Sequence, residues 1–210
     1  MFWIKDGFFG RGLIPSARLF AGGLAHALGA HPIETIPRST GGWPLFLLMA
    51  TLCVTPLRRW TGANWLLKLR RMLGLFAFFY ASTHFITFIW FDHWFDLAAI
   101  LNDVIKRPFV TVGFAAYLLL LPLAFTSTNS MVRRLGRNWQ RLHRLIYAIA
   151  ILGVVHFWWL VKRDVTEPLV FALVLSFLLG MRLVWRSRAA HNVARPSFQR
   201  ERAAFLPKRH

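Results

Sequence analysis

Long runs of apolar residues, separated by short polar stretches, dominate the pattern of this chain. A helix needs roughly 17–25 such residues to cross a bilayer core, and most of the runs reach that length, the first only with its neighbours. Prolines lie near their ends, where a helix tolerates them best. The pattern therefore predicts an all-α integral membrane bundle. The five clear runs are Trp43–Leu57, Met72–Phe91, Phe109–Phe125, Leu145–Val161 and Pro168–Trp185.

A sixth apolar stretch lies near Phe8–Ala30, but Arg11, Pro15 and Arg18 interrupt it. It is either an irregular first helix or a signal-like apolar segment. With it, the bundle has about six transmembrane helices. We take residues 1–186 as the membrane domain and residues 187–210 as a basic tail without hydrophobic periodicity.

The basic residues predict the orientation of the bundle. Five arginines or lysines lie in residues 58–71, five arginines lie in residues 126–144, and eight basic residues follow from Arg182 onward. The acidic residues Asp92, Asp96 and Asp103 share the intervening connection. By the positive-inside rule, both termini and the two arginine-rich connections are cytoplasmic.

The composition excludes several partners and cofactors. The net charge of +18 would suggest nucleic acid on a soluble protein, but the basic residues bracket apolar runs, and we expect no nucleic-acid partner. Cys53 is the only cysteine, so the chain contains no internal disulfide and no C-x-x-C-H motif. Any haem is therefore held non-covalently. No dinucleotide-binding motif, phosphate-binding loop or nucleophile triad is present.

Two histidines lie at matched depths in two of the runs. His84 is twelve residues into the run from Met72, and His156 is eleven residues into the run from Leu145. An ionisable residue inside a membrane is by default a functional candidate. The alternative is a pair of buried histidines that donate to backbone carbonyls. The matched depth favours two axial ligands of one b-type haem iron.

A second matched level is predicted at the cytoplasmic interface. Arg70 lies fourteen residues before His84, and His143 lies thirteen residues before His156. Arginine stays protonated and is a poor iron ligand, so Arg70 and Arg71 are candidates for a haem propionate or a phosphate. His143 is either a ligand of a second haem iron or an interfacial histidine. An ideal helix turns it about 140° from His156, so bending must absorb the difference or His143 binds something else.

The remaining polar candidates carry weaker predictions. His93 follows Asp92 at a membrane edge and is expected to be solvated. His26 offers a minor ligand possibility. Thr126–Ser130 is expected to cap helices or form a turn. The other histidines, His31, His191 and His210, are expected in loops or in the tail.

Several strings resemble the MsrQ (YedZ) family, the haem-binding membrane subunits of bacterial methionine sulfoxide reductase systems. They extend from about Gly29 to Arg186, and their order makes the resemblance specific; the N-terminal stretch departs from the family's first helix. The strings are VTPLRR (54–59), RRMLGL (70–75), RPFVTVG (107–113), LAFTSTNSM (123–131) and WQRLHRLIY (139–147). More distantly, the histidine pattern resembles the membrane domain of ferric reductases and NADPH oxidases.

The resemblance implies a multi-pass protein of the bacterial inner membrane with one or two b-type haems and FMN, although no feature of the sequence locates FMN. It would receive electrons from the quinone pool or a cytoplasmic flavin reductase. It would pass them to a periplasmic molybdenum subunit, MsrP, which repairs oxidised methionines. Methionine sulfoxide would be reduced on that partner, so no catalytic residue is assigned here.

Two alternatives stay open. A ferric or oxygen reductase would use the same haems for a small acceptor, and a transporter would use His84 and His156 as a proton relay. For the two redox functions, the acidic connections are expected to form the docking surface for the partner, because complementary charge steers encounter. Their acidic residues are Asp92, Asp96 and Asp103 after the His84 helix, and Asp164 and Glu167 after the His156 helix.

Overall fold

The computed structural model describes the backbone of residues 32–161 and 165–205, and the side chains of residues 41–90, 92–161 and 165–191. The stretch near Phe8–Ala30, with His26 and His31, lies outside the described residues, as do Asp164 and His210. Within the described ranges every regular element is a helix, which confirms the predicted all-α class.

The described chain forms eight α-helices and one π-helical turn, Phe88–Asp92. The helices are α1 (Pro32–Thr61), α2 (Leu66–Thr87), α3 (Leu97–Lys106), α4 (Pro108–Phe125), α5 (Asn129–Leu135), α6 (Arg137–Leu142), α7 (Leu145–Leu160) and α8 (Thr166–Phe205).

Four helical segments among the described residues are long and apolar enough to cross a membrane. Their outward side chains are apolar as well, as Phe177 shows with 63% of its surface exposed. Such a surface suits lipid and not water, so the chain is a multi-pass membrane protein. The four segments are Leu66–Trp90, Pro108–Phe125, Arg137–Leu160 and Thr166–His191. Helix α1, which contains the predicted run Trp43–Leu57, is not one of the four.

Two helix pairs, α1 with α2 and α4 with α7, make the most extensive contacts of the bundle. Leu52 of α1 and Tyr80 of α2 are buried core residues of the first pair. Ile149 and Ala150 of α7 are buried core residues of the second pair. Gly153 of α7 allows Leu45 of α1 to approach closely, so the two pairs share one core.

The order of the helices gives the bundle two chemically different ends. The connections rich in arginine, residues 58–71 and 126–144, lie at one end, which we call the arginine-rich end. The connection at residues 88–107 and the start of α8, with Glu167, lie at the other, which we call the acidic end. The described acidic side chains, Asp92, Asp96, Asp103 and Glu167, all belong to the acidic end.

Local chemistry explains where the helices begin and end. Thr128 accepts a hydrogen bond from the Met131 amide and caps α5, and Thr126 is the C-cap of α4. The predicted capping role of Thr126–Ser130 is thus confirmed. Gly136 separates α5 from α6 with a φ of +50°, a conformation that glycine adopts without the steric cost of a side chain.

Three boundaries differ from the predictions. Helix α2 begins at Leu66, so Arg70 lies inside the helix and not before it. Residues 97–106, expected to be a loop, form α3. The basic stretch after Ser187 continues α8 as far as Phe205, because arginine and alanine are good helix formers without any apolar periodicity.

Candidate functional site

The two predicted membrane histidines face each other inside the bundle. His84 on α2 and His156 on α7 have ring centroids 6.4 Å apart, and their planes differ by 69°. Their helices come from different pairs, so the bundle itself brings the rings together. The matched depth that the sequence predicted is therefore present in the fold.

A backbone carbonyl fixes one nitrogen of His156. Its Nδ1 lies 2.7 Å from the carbonyl oxygen of Phe109, near the start of α4. A carbonyl only accepts hydrogen bonds, so Nδ1 carries the proton and Nε2 keeps its lone pair. Histidines that bind metals use this arrangement, in which the other ring nitrogen donates to a carbonyl.

Each histidine ring lies against a glycine of a neighbouring helix. A Cβ atom added at Gly113 of α4 would come within 2.7 Å of His156 Nδ1, and one added at Gly41 of α1 would come within 3.1 Å of His84 Cε1. Real side chains do not tolerate the first of these distances and rarely the second. Sequence reasoning missed both glycines, although an isolated glycine inside an apolar helix is a known sign of close approach.

The ring spacing fits an iron held between the two imidazoles. Imidazole nitrogens bind metal ions at about 2 Å, so two rings on opposite sides of one ion have centroids about 6 Å apart. The observed 6.4 Å agrees with this value. The donor set, two imidazoles in largely apolar surroundings, is one that b-type haem accepts.

His143 lies at the arginine-rich end, in the two-residue break between α6 and α7. Its ring stacks on Trp139 with centroids 4.0 Å apart, and its Nε2 lies 3.2 Å from the Thr126 hydroxyl. Because this break interrupts the helix between His143 and His156, the angle calculated for one ideal helix does not apply to the pair. Binding of a second iron through Nε2 would require this ring to give up Thr126.

Arg70 and Arg71 have different surroundings. Arg70 is half-buried within electrostatic range of Tyr147, Arg182 and His143. Arg71 is exposed and donates to Asn129 Oδ1 at 2.5 Å. Only Arg70 therefore belongs to the interior of the arginine-rich end.

Arg182 of α8 completes this end, and sequence reasoning treated it only as a topology signal. One terminal nitrogen donates to the Tyr147 hydroxyl, and the other donates to the Leu52 carbonyl at 2.7 Å. The guanidinium carbon lies 5.0 Å from the centre of the Tyr147 ring. The position of Arg182 near the end of the apolar run Pro168–Trp185 indicates that it lies close to the membrane interface, but it does not indicate these contacts.

His93 does not match its prediction. Its side chain is 10% exposed, lies 3.2 Å from Asp103 and packs edge-on against Phe88. It is therefore largely buried at the acidic end and not solvated, because Asp103 of α3 lies against it. His191 is exposed and lies on α8, as the last residue of the segment Thr166–His191, and therefore not in a loop.

A cavity of about 510 Å³ lies between α1 and α8. Its lining is almost entirely apolar and includes Cys53, Trp60, Phe177 and Met181. No histidine lines it, and its only polar groups are the Cys53 thiol and the Trp60 indole N–H, so we assign it no role in binding iron.

Comparison with known proteins shows which class of membrane domain this histidine-bearing bundle belongs to. Residues 40–154, which contain His84 and His143, match the family model described as ferric reductase like transmembrane component. The histidine-bearing bundle is therefore a ferric-reductase-like membrane domain. No solved structure shows significant similarity to the chain.

Close relatives define the family more narrowly. A protein-methionine-sulfoxide reductase heme-binding subunit MsrQ from Herminiimonas arsenicoxydans is 54% identical over 90% of this chain and 89% of its own length. The MsrQ of Ralstonia nicotianae is 51% identical over 87% of this chain and 85% of its own, and that of Bordetella pertussis is 50% identical over 89% and 93%. The chain belongs to the MsrQ family.

Proposed function

We propose that this chain is a membrane electron-transfer subunit that binds b-type haem between His84 and His156. The 6.4 Å separation of the two rings carries the proposal. The relatives named above are called heme-binding subunits, which supports the same cofactor. Bound haem supplies a one-electron carrier whose potential depends on axial ligands and burial.

The residues of the chain have separate parts in this function. His84 and His156 bind the iron, and the Phe109 carbonyl holds His156 in the tautomer that leaves Nε2 able to bind. The apolar helices around them exclude water and raise the cost of leaving the iron without a ligand. At the arginine-rich end, His143 is the candidate ligand of a second haem, and Arg70 and Arg71 are candidates for propionate or phosphate groups.

The direction of transfer follows from the proposed orientation. The arginine-rich end faces the cytoplasm of a bacterial cell, with the basic tail of residues 187–210 on the same side, and receives electrons from the quinone pool or a flavin reductase. The acidic end faces the periplasm and delivers the electrons to a periplasmic, MsrP-like molybdenum subunit. The chain itself lies in the inner membrane. Methionine sulfoxide is reduced on that subunit. The proposal of FMN as a further cofactor rests on family resemblance.

The histidine assignment is tested with single variants of the purified full chain. We expect His84→Ala and His156→Ala each to lose this haem, or to keep it five-coordinate with a changed spectrum, because the apolar interior provides no substitute ligand. His143→Ala should leave this haem reducible by dithionite, since His143 lies at the other level. Haem per polypeptide and low-temperature reduced-minus-oxidised spectra are the measurements, with the exposed His191→Ala as control.

Two outcomes would contradict the proposal. The absence of any b-type haem band from the wild-type protein would remove the redox function altogether and leave a proton-relay transporter as the alternative. Loss of all haem from His143→Ala, with normal haem in His84→Ala, would overturn the pairing of His84 with His156.

The ferric-reductase match gives a second candidate function, delivery of electrons to ferric ion or oxygen at the acidic end. Membranes that contain the chain with an MsrP-like subunit should reduce methionine sulfoxide, and the chain alone should show little ferric reductase activity. Strong ferric reductase activity without the partner would favour the second candidate.

A further inference from the structure

The interior of the arginine-rich end contains two cations and no described acidic partner. Arg70 of α2 and Arg182 of α8 lie within electrostatic range of each other. The described acidic side chains belong to the opposite end of the bundle. Two like charges in partly buried surroundings repel each other and lose hydration, so this arrangement needs a compensating negative charge.

Arg182 is held in place but not saturated. Its terminal nitrogens donate to Tyr147 of α7 and to the Leu52 carbonyl of α1. Its Nε is buried and has no hydrogen-bond partner among the described residues. Buried donors in folded proteins are nearly always satisfied, so this nitrogen indicates a missing acceptor.

The surrounding groups are donors or neutral. The Tyr147 hydroxyl accepts from Arg182 and keeps its own proton to donate, and His143 lies within electrostatic range of Arg70. Guanidinium groups bind carboxylates and phosphates through paired, charge-assisted hydrogen bonds. The arrangement therefore suits an anionic group that enters the bundle beside α2, α7 and α8.

We propose that Arg182, together with Arg70 and Tyr147, binds the anionic group of a cofactor at the arginine-rich end. The group is a carboxylate or a phosphate; a haem propionate and a flavin phosphate are its two sources. The proposal rests on the proposed function for the presence of such a cofactor. It adds Arg182 as a binding residue on a helix that follows the family model's matched range.

The test compares cofactors with and without their anionic groups. Full-length protein in nanodiscs is stripped of cofactor and titrated with haem, haem dimethyl ester, FMN and riboflavin. We expect the wild type to bind one anionic member at least about tenfold more tightly than its neutral counterpart, as charge-assisted hydrogen bonds imply. A preference for haem over its ester identifies a propionate, and a preference for FMN over riboflavin identifies a phosphate.

The variants assign that preference to Arg182. Arg182→Gln should reduce it to less than about threefold, Arg182→Lys should retain part of it, and Arg186→Gln, an exposed change one turn along the same helix, should leave it intact. If Arg182→Gln does not fold, Tyr147→Phe and Arg182→Lys provide the test, and each should weaken the preference.

An unchanged preference in Arg182→Gln, or no preference for either pair in the wild type, would overturn the proposal and leave Arg182 as a structural tie between helices. The result is separate from the histidine test. Flavin binding needs neither His84 nor His156, and the ester comparison measures the anionic groups and not the iron ligands.

Discussion

At the scale of single residues, the site depends on glycines, which have no side chain, as much as on the histidines. Gly113 and Gly41 allow helix backbones to approach the two histidine rings, and the Phe109 carbonyl orients one of them. The histidines themselves could be predicted from the sequence because an ionisable residue inside an apolar run is rare. The glycines could not, since their role depends on which helix packs opposite them.

Substituting Gly113 with alanine should therefore displace the His156 ring. The new Cβ would lie 2.7 Å from Nδ1, and overpacking of this kind typically costs about 1–3 kcal/mol. We expect Gly113→Ala to shift the haem spectrum and lower haem retention. Gly74→Ala is the matched control, because no heavy atom lies within 4 Å of its added Cβ and alanine favours a helix by up to about 1 kcal/mol.

Gly41 and Gly42 repeat the comparison at adjacent positions. Gly41→Ala should disturb the haem because its Cβ meets the His84 ring, and Gly42→Ala should not because no heavy atom lies near its Cβ. The haem spectra of the purified variants show whether each substitution disturbs the haem. An unchanged spectrum in both Gly41→Ala and Gly113→Ala would show that the glycines do not hold the rings.

At the scale of elements, α3 changes the interpretation of the acidic end. The sequence suggested a loop with three free carboxylates. In the fold Asp96 caps α3 by accepting from the Ala98 and Ala99 amides, and Asp103 pairs with His93 and Arg107. Burial raises the pKa of the Asp92 carboxyl, although His93 and Arg107 act in the opposite direction. Docking through these charges stays a prediction, with less free charge than the sequence suggested.

The exposed face of α3 is apolar. Leu97, Leu101 and Ile105, spaced by four residues, lie on one side and are 60–80% exposed. Trp94 and Phe95, in a left-handed turn just before the helix, are exposed as well. An amphipathic helix with aromatic residues at its start is typical of one that lies along a membrane interface. Its ten residues are too few to cross a bilayer core, so the length of the apolar run did not single it out.

Spin labels can test whether α3 lies on the lipid. In a Cys53→Ser background, Leu101→Cys and Asn102→Cys place labels on adjacent, exposed positions with opposite surroundings. We expect the label at Leu101 to be more accessible to oxygen, which concentrates in lipid. The label at Asn102 should be more accessible to a water-soluble nickel reagent. Equal accessibility at both positions would place α3 away from the bilayer and leave its apolar face open to a partner.

At the scale of the whole molecule, the sequence was a better guide to the fold class than to the contacts between helices. Apolar runs and arginine clusters predicted helices, their order and the two ends, because bilayer thickness and charge placement act on composition alone. The pairing of α1 with α2 and of α4 with α7 could not be predicted, since lipid-facing and core-facing residues are equally apolar. Arg182 was overlooked for the same reason: one arginine near the end of a span looks like any other until its neighbours are known.

The orientation is the prediction on which the direction of electron transfer depends. Asn102 near the acidic end and Asn138 near the arginine-rich end are both exposed and lie in polar stretches between the apolar runs, so we expect water to reach a cysteine at either position. In right-side-out spheroplasts of cells that carry Cys53→Ser, a membrane-impermeant maleimide should label Asn102→Cys and not Asn138→Cys. Lysed membranes, in which both should react, provide the control. Labelling of Asn138→Cys in intact spheroplasts would place the arginines outside, against the positive-inside rule, and would exchange the donor and acceptor ends proposed for this protein.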